Sequence, residues 1–279
     1  MTVLDPSFAR RTVTVSHPCG SQARIAPHGA QVVSWIDRGR ERLFVSPRAA
    51  VRAGQPIRGG IPIIFPQFGA HGPGPRHGFA RVLEWTHVAV ASAPDRATFV
   101  LGDSEYSLGL WPHRFRAELE VIVLEDRLST ALTIRNCDEE AFEFSVALHT
   151  YLRVSDIGKI AIAGLQGLEY LDATRDGRRE TQREATLGFS GEVDRVYCGS
   201  GARALALEDA GSALRIGAEG FADTVVWNPG PGLAAGMADL GAGNHAGFVC
   251  VEPANVAAPV RLAPGAVWRG TQVLACMEG

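Results

Sequence analysis

Phe115-Arg116-Ala117-Glu118-Leu119-Glu120-Val121-Ile122-Val123 carries an apolar side chain at every second position, with Arg116, Glu118 and Glu120 between them. A repeat of two sends one row to a core and the other to solvent, which is the signature of a half-buried strand. Arg127 to Arg135, Phe142 to Arg153, Lys159 to Ala163, Ala202 to Glu208, Ala213 to Ile216, Asp223 to Trp227 and Phe248 to Glu252 are short runs rich in β-branched or aromatic residues. Turn-forming clusters at Asn136-Cys137-Asp138-Glu139, Asp176-Gly177 and Asp209-Ala210-Gly211 punctuate them. With 32 Gly and 16 Pro, and no apolar stripe of helical period longer than a turn or two, the chain reads as all-β. The expected architecture is a single large antiparallel β-sandwich formed by one domain over residues 1–279, since no linker or fixed-period repeat divides the sequence.

Lys and Arg number 27 against 30 Asp and Glu, so no bulk positive charge is available to hold nucleic acid or an anionic membrane. An anionic ligand must be met by a local patch. The five cysteines, Cys19, Cys137, Cys198, Cys250 and Cys276, are odd in number and widely spaced, which fits a reducing cytoplasm better than a disulfide framework. The first residues contain no apolar signal core, and no apolar run approaches the roughly 18 residues of a membrane span. A soluble cytoplasmic protein is expected.

Gly54 to Arg81 and Gly230 to Gly247 are too long and too rich in Gly and Pro for hairpin turns, and loops of that kind tend to carry function. The first contains Arg58, Gln67, His77 and Arg81. Guanidinium groups suit the grip of phosphate or carboxylate, although pairing with surface carboxylates accounts for them equally well. No helix-opening pattern follows Gly230-Pro231-Gly232, and the chain lacks the GxGxxG, P-loop and GxSxG fingerprints.

Alternation along Phe142 to Arg153 puts Phe142, Phe144, Val146, Leu148, Thr150 and Leu152 on one face, and Glu143, Ser145, Ala147, His149, Tyr151 and Arg153 on a polar one. An imidazole there can exchange a proton near neutrality, but a hydrogen-bonded rim residue is the commoner outcome. Glu252 ends the apolar run Phe248 to Val251 immediately before Pro253; partial desolvation would make it a better base, and an ion pair with Arg is the competing account. Asp194 in Asp194-Arg195-Val196-Tyr197 can offer a carboxylate to hydroxyls or simply pair with Arg195. Trp227 can wall a sugar face or pack in the core. The remaining histidines show neither HxH nor HxxxH spacing, and no metal is assigned.

Taken together, RGGIPIIFPQFG, HGFAR, FSVALHTYLRVSD, DRVY, VVWNP and VCVEPANV, in that order over about Gly54 to Val256, resemble the hexose-6-phosphate mutarotases of the aldose 1-epimerase superfamily. The resemblance implies a galactose-mutarotase-like β-sandwich that interconverts sugar anomers without redox cofactor or metal. It implies His149 as the acid at the ring oxygen and Glu252 as the base at the anomeric hydroxyl. It further implies His77 and Asp194 as groups orienting hydroxyls, and Arg58 and Arg81 as holders of the 6-phosphate of a small sugar. Two positions depart from the pattern: Gln67 stands where some relatives carry an aromatic residue, and Gly230 follows Trp-Asn-Pro where a second Trp is common. Both bear on hexose selectivity. A mutarotase of unphosphorylated aldoses, a non-catalytic carbohydrate-binding sandwich and a glycosidase using Glu252 with Asp194 are the alternatives; the last requires carboxyl groups about 5 to 9.5 Å apart. A monomer is expected.

Overall fold

A computed structural model describes residues 12–91, 93–201 and 203–277. Phe115–Val123 is a strand whose burial alternates without a break, with Phe115, Ala117, Leu119, Val121 and Val123 at most 1% exposed. It pairs with Arg127–Asn136 and with Arg96–Gly102 in a nine-stranded antiparallel sheet, in which Val267–Met277 and Ser212–Glu219 continue the order. The inward row meets the inward row of a second sheet of eight strands, and a four-stranded sheet of residues 13–41 lies beside them. Each fully buried Leu, Val, Ile or Phe in this interior contributes about 1.5–3 kcal/mol.

The second sheet runs in the order Arg178–Thr181, Glu169–Asp172, Val193–Tyr197, Asp223–Asn228, Phe248–Leu262, Phe142–Leu148 and Ile63–Ile64, and Tyr151–Arg153 also pairs with Phe248–Leu262. Phe142, Phe144, Val146, Leu148, Thr150 and Leu152 face the interior, as their alternation requires. Thr150, the polar member, donates its hydroxyl to Gln272 Oε1 of the opposing sheet at 2.6 Å.

Three expectations need correction. The strand beginning at Phe248 runs on through Pro253 to Leu262 instead of stopping at Glu252. Gly230–Gly236 is a short α-helix despite its three glycines, because it buries Ala234, which clusters with Leu240, Phe44, Phe248, Tyr151 and Cys250 on the outer face of the second sheet. Covered in this way, that face is no open polar surface: Ala147, His149 and Tyr151 are all buried.

Candidate active site

One row of Cα partners crosses four strands of the second sheet: Asp194 opposite Trp227, Trp227 opposite Cys250, and Cys250 opposite Tyr151. Two residues along each strand returns to the same face. Glu252 therefore follows Cys250, and His149 precedes Tyr151, on the side away from the core.

His149 sits at a break between the strands Phe142–Leu148 and Tyr151–Arg153. Across from it, Val251 N–H donates to Thr150 O at 3.1 Å. Two residues further, the same strand edge presents Pro253, which has no hydrogen to give. Beyond Pro253 the pairing resumes with Ala147 opposite Ala254, while on the other edge His149 N–H donates to Pro62 O at 2.9 Å, the next rung after Leu148 opposite Ile63. His149 Nδ1 stands 3.2 Å from Glu252 Oε1.

Burial sets the charge of this pair. It pushes the Glu252 carboxyl well above the usual carboxylate range, an effect that Asp194 reinforces and Arg81 opposes. Burial likewise holds the His149 imidazole well below its ordinary value, helped by His77, Arg81 and Arg58. The low-cost state is a pair with no net charge.

His77 has a left-handed backbone, φ 67°, at the neck of a loop closed twice: His77 N–H donates to Gly69 O at 2.7 Å, and Gly69 N–H donates to His77 Nδ1 at 3.2 Å. Nδ1 is thus an acceptor and the proton of the neutral ring resides on Nε2. Burial, then Arg81, Arg76 and Arg58, lowers its pKa to about 3, so the ring stays neutral. The His77 and His149 rings meet edge to face with centroids 5.7 Å apart.

Arg58 gives Nε and Nη2 to Asp239 Oδ2, both at 3.0 Å, and Nη1 to the Tyr151 hydroxyl at 3.0 Å. Arg81 donates Nη2 to Arg76 O at 2.8 Å and holds a buried Nε with no hydrogen-bond partner. Burial brings its pKa down to about 10, with Arg58 and Arg76 acting in the same direction. Two guanidinium groups thus act on the buried pair, Arg58 and Arg81 on His149 and Arg81 on Glu252.

Residues 11–275 match the family model described as aldose 1-epimerase. The chain belongs to that family. A protein of Cenchrus ciliaris provisionally named glucose-6-phosphate 1-epimerase is 36% identical over 270 residues, covering 91% of this chain and 81% of its own. An Escherichia coli K12 protein with the same provisional name is 33% identical over 263 residues, 90% of this chain and 87% of its own. The crystal structure of a Salmonella typhimurium protein provisionally described as a mutarotase superposes with a TM-score of 0.86 at 29% identity, covering 96% of this chain and 90% of that one. The antiparallel sandwich expected from the strand pattern is thus the fold of aldose 1-epimerase relatives.

Within this aldose 1-epimerase fold, the residues singled out in the sequence do not all converge. His149, Glu252, His77, Arg81 and Asp194 act on one another electrostatically, and half-buried Asp194 has its own carboxyl raised by burial. Trp227 stands edge-on to His149 and Tyr151, with centroids 5.8 and 6.1 Å away. The Gln67 amide is tied to its own loop, accepting from Gly74 N–H at 2.8 Å and donating to Gly74 O at 3.2 Å. It shapes the 67–77 loop. Tyr151, Cys250 and Asp239 were missed. The first shares His149's face in the alternation and was legible there; Cys250 shares that of Glu252. Asp239 lies in the Gly-rich 230–247 segment, where no periodicity marks it. His149, Cys250 and Glu252 together could hold a metal, with ligand atoms within 4.8 Å of one another.

Proposed function

We propose that the protein interconverts the α and β anomers of a hexose 6-phosphate, glucose 6-phosphate first among them, with His149 and Glu252 as its acid and base. The 3.2 Å contact between these two buried groups carries the reading. Glu252 as carboxylate takes the proton of the anomeric hydroxyl while the bond from C1 to the ring oxygen breaks. The ring oxygen takes a proton from His149, and C1 is left as an aldehyde. Rotation about C1–C2 and reversal of both transfers close the other anomer. Each transfer, made by a positioned group, contributes about 10²- to 10⁴-fold.

The contact also supports the starting state. Neutral imidazole with carboxylic acid, and imidazolium with carboxylate, have the same total charge, so either distribution of the proton leaves the charge buried there unchanged. Hydroxyls of a bound sugar, donating to the carboxylate, favour the second form. His77 Nε2–H and Asp194 orient those hydroxyls in this reading. Arg58 and Arg81 supply the positive charge for the phosphate, in keeping with the provisional names of the relatives. The five unbridged cysteines accord with work in the cytoplasm, and among the described residues no helix is long and apolar enough to cross a membrane.

Magnetisation-transfer NMR of glucose 6-phosphate and of glucose, each corrected for spontaneous exchange, tests the reading. Faster exchange of the phosphate ester is expected, and Arg81→Met should raise its KM by about 10- to 100-fold, the loss of one charge-assisted hydrogen bond. Equal rates for the two sugars, or a preference for glucose, would defeat the phosphate assignment and favour a mutarotase of free aldoses.

A further inference from the structure

The floor of the site holds a thiol that anomerisation leaves unused. Cys250 is fully buried two residues before Glu252, and its Cα partner Tyr151 is two residues beyond His149, so all three side chains leave one face of the sheet. An imidazole nitrogen, the Cys250 sulfur and a Glu252 oxygen lie within 4.8 Å of one another. His149 Nδ1 and Glu252 Oε2 are buried without hydrogen-bond partners. Unmet atoms of this kind are costly in an interior, and an occupant able to bind them lowers that cost.

Imidazole, thiolate and carboxylate form a donor set for a borderline-soft cation, with bonds of roughly 2.0–2.3 Å to a tetrahedral ion. Such bonds put neighbouring ligand atoms about 3.3 to 3.6 Å apart. The 3.2 Å separation of His149 and Glu252 already approximates one edge, and a shift of about 1 Å by the Cys250 rotamer would complete the face. We propose that His149, Cys250 and Glu252 form an inhibitory site for a thiophilic divalent cation of the Zn²⁺ class, filled in competition with the sugar. Thiolate and carboxylate offset the ion's two charges, and two protons leave to solvent, one from the Cys250 thiol and one from the His149–Glu252 pair. Arg58 and Arg81, which act on these groups, oppose the ion, and Asp194 favours it. Spacing rules along the sequence cannot show this set, because its members are assembled from two strands.

Co²⁺ is the probe, since a bound thiolate gives it a near-ultraviolet charge-transfer band. His17 Nδ1 and Cys19 Sγ stand 3.0 Å apart on the surface and would mimic the signal, and Cys137 is exposed. The titration is therefore made on the full chain carrying Cys19→Ser and Cys137→Ser. One Co²⁺ per chain with a thiolate band is expected, displaced by Zn²⁺ and by glucose 6-phosphate. Because even indirect support of a metal is worth 10- to 100-fold, loss of a direct ligand in Cys250→Ser should weaken binding by more than about 100-fold. Cys250→Ala, judged folded by circular dichroism, should behave alike. No band, or a band that survives both substitutions, overturns the site; a band that glucose 6-phosphate leaves intact overturns the competition. The competition rests on the sugar reading and the binding does not: a Cys250-dependent band in a protein without anomerising activity would sink the proposed function and leave the cation site standing.

Discussion

The phenol of Tyr151 lies against the imidazole of His149, with ring centroids 4.9 Å apart and planes 9° from parallel, while its hydroxyl accepts from Arg58. One side chain thus touches both the proposed acid and one of the proposed phosphate holders. Tyr151→Phe keeps the ring and removes the acceptor. Losing about 0.5–1.5 kcal/mol of hydrogen bonding should raise KM for glucose 6-phosphate by about 2- to 12-fold with kcat nearly unchanged. Tyr151→Ala, by freeing His149, should lower kcat as well. Steady-state rates by NMR exchange separate the two; a Phe variant that lost kcat alone would remove Arg58 from the account.

Activity should remain level as the pH is lowered through 6.5, where an ordinary histidine gains its proton. His149 is held below that value by burial, and Glu252 is held above the usual carboxylate range, so the pair keeps its single shared proton across the neutral region. Blank-corrected kcat/KM between pH 5.5 and 8 is the measurement. An acid limb centred near 6.5 would contradict the burial argument. Glu252→Gln should cost about 10²- to 10⁴-fold in kcat with little change in melting temperature, because a protonated carboxyl and an amide are close in size and charge.

Stability should fall in acid partly through His77. The unfolded chain binds a proton near pH 6.5, whereas the folded protein resists until about 3, so the native state loses ground as the pH drops between those values. The full effect is of the order of a few kcal/mol. His77→Asn, which tolerates the left-handed backbone, should melt with a smaller drop between pH 7 and pH 5 than the parent. Identical drops, followed by calorimetry, would mean that the ring is not held neutral.

Gln67→Ala should act on the loop before it acts on selectivity. Removing both hydrogen bonds to Gly74 is expected to cost about 1–2 kcal/mol locally and to speed amide exchange over residues 68–77. The ratio of kcat/KM between two hexose phosphates should stay within about twofold, far below the discrimination a lost substrate contact brings. A changed ratio with an unchanged exchange pattern would return Gln67 to the ligand.

Much of the fold was legible because Phe115–Val123 alternates strictly and Phe142–Leu152 keeps its apolar row inward, and alternation records which side of a sheet faces the core. It does not record what covers the other side. His149 read as a polar-face residue because Ala234 and Leu240, which help close that face, lie in a segment whose glycines carry no helical pattern. Pro253 was read as a terminator of its own strand. Its missing N–H instead faces the neighbouring strand, which breaks while its own continues. Asp239 was out of reach for a simpler reason: its meeting with Arg58 spans 181 positions and depends on where two loops settle.

Glu252 projects from a strand and His149 from the two-residue break between the two strands that pair with it, so their separation follows the spacing of roughly 4.8 Å between neighbouring backbones. Rim segments can therefore be lengthened, shortened or exchanged to suit another sugar while the proton-handling machinery keeps its dimensions, which makes this scaffold a ready starting point for redesigning what it accepts.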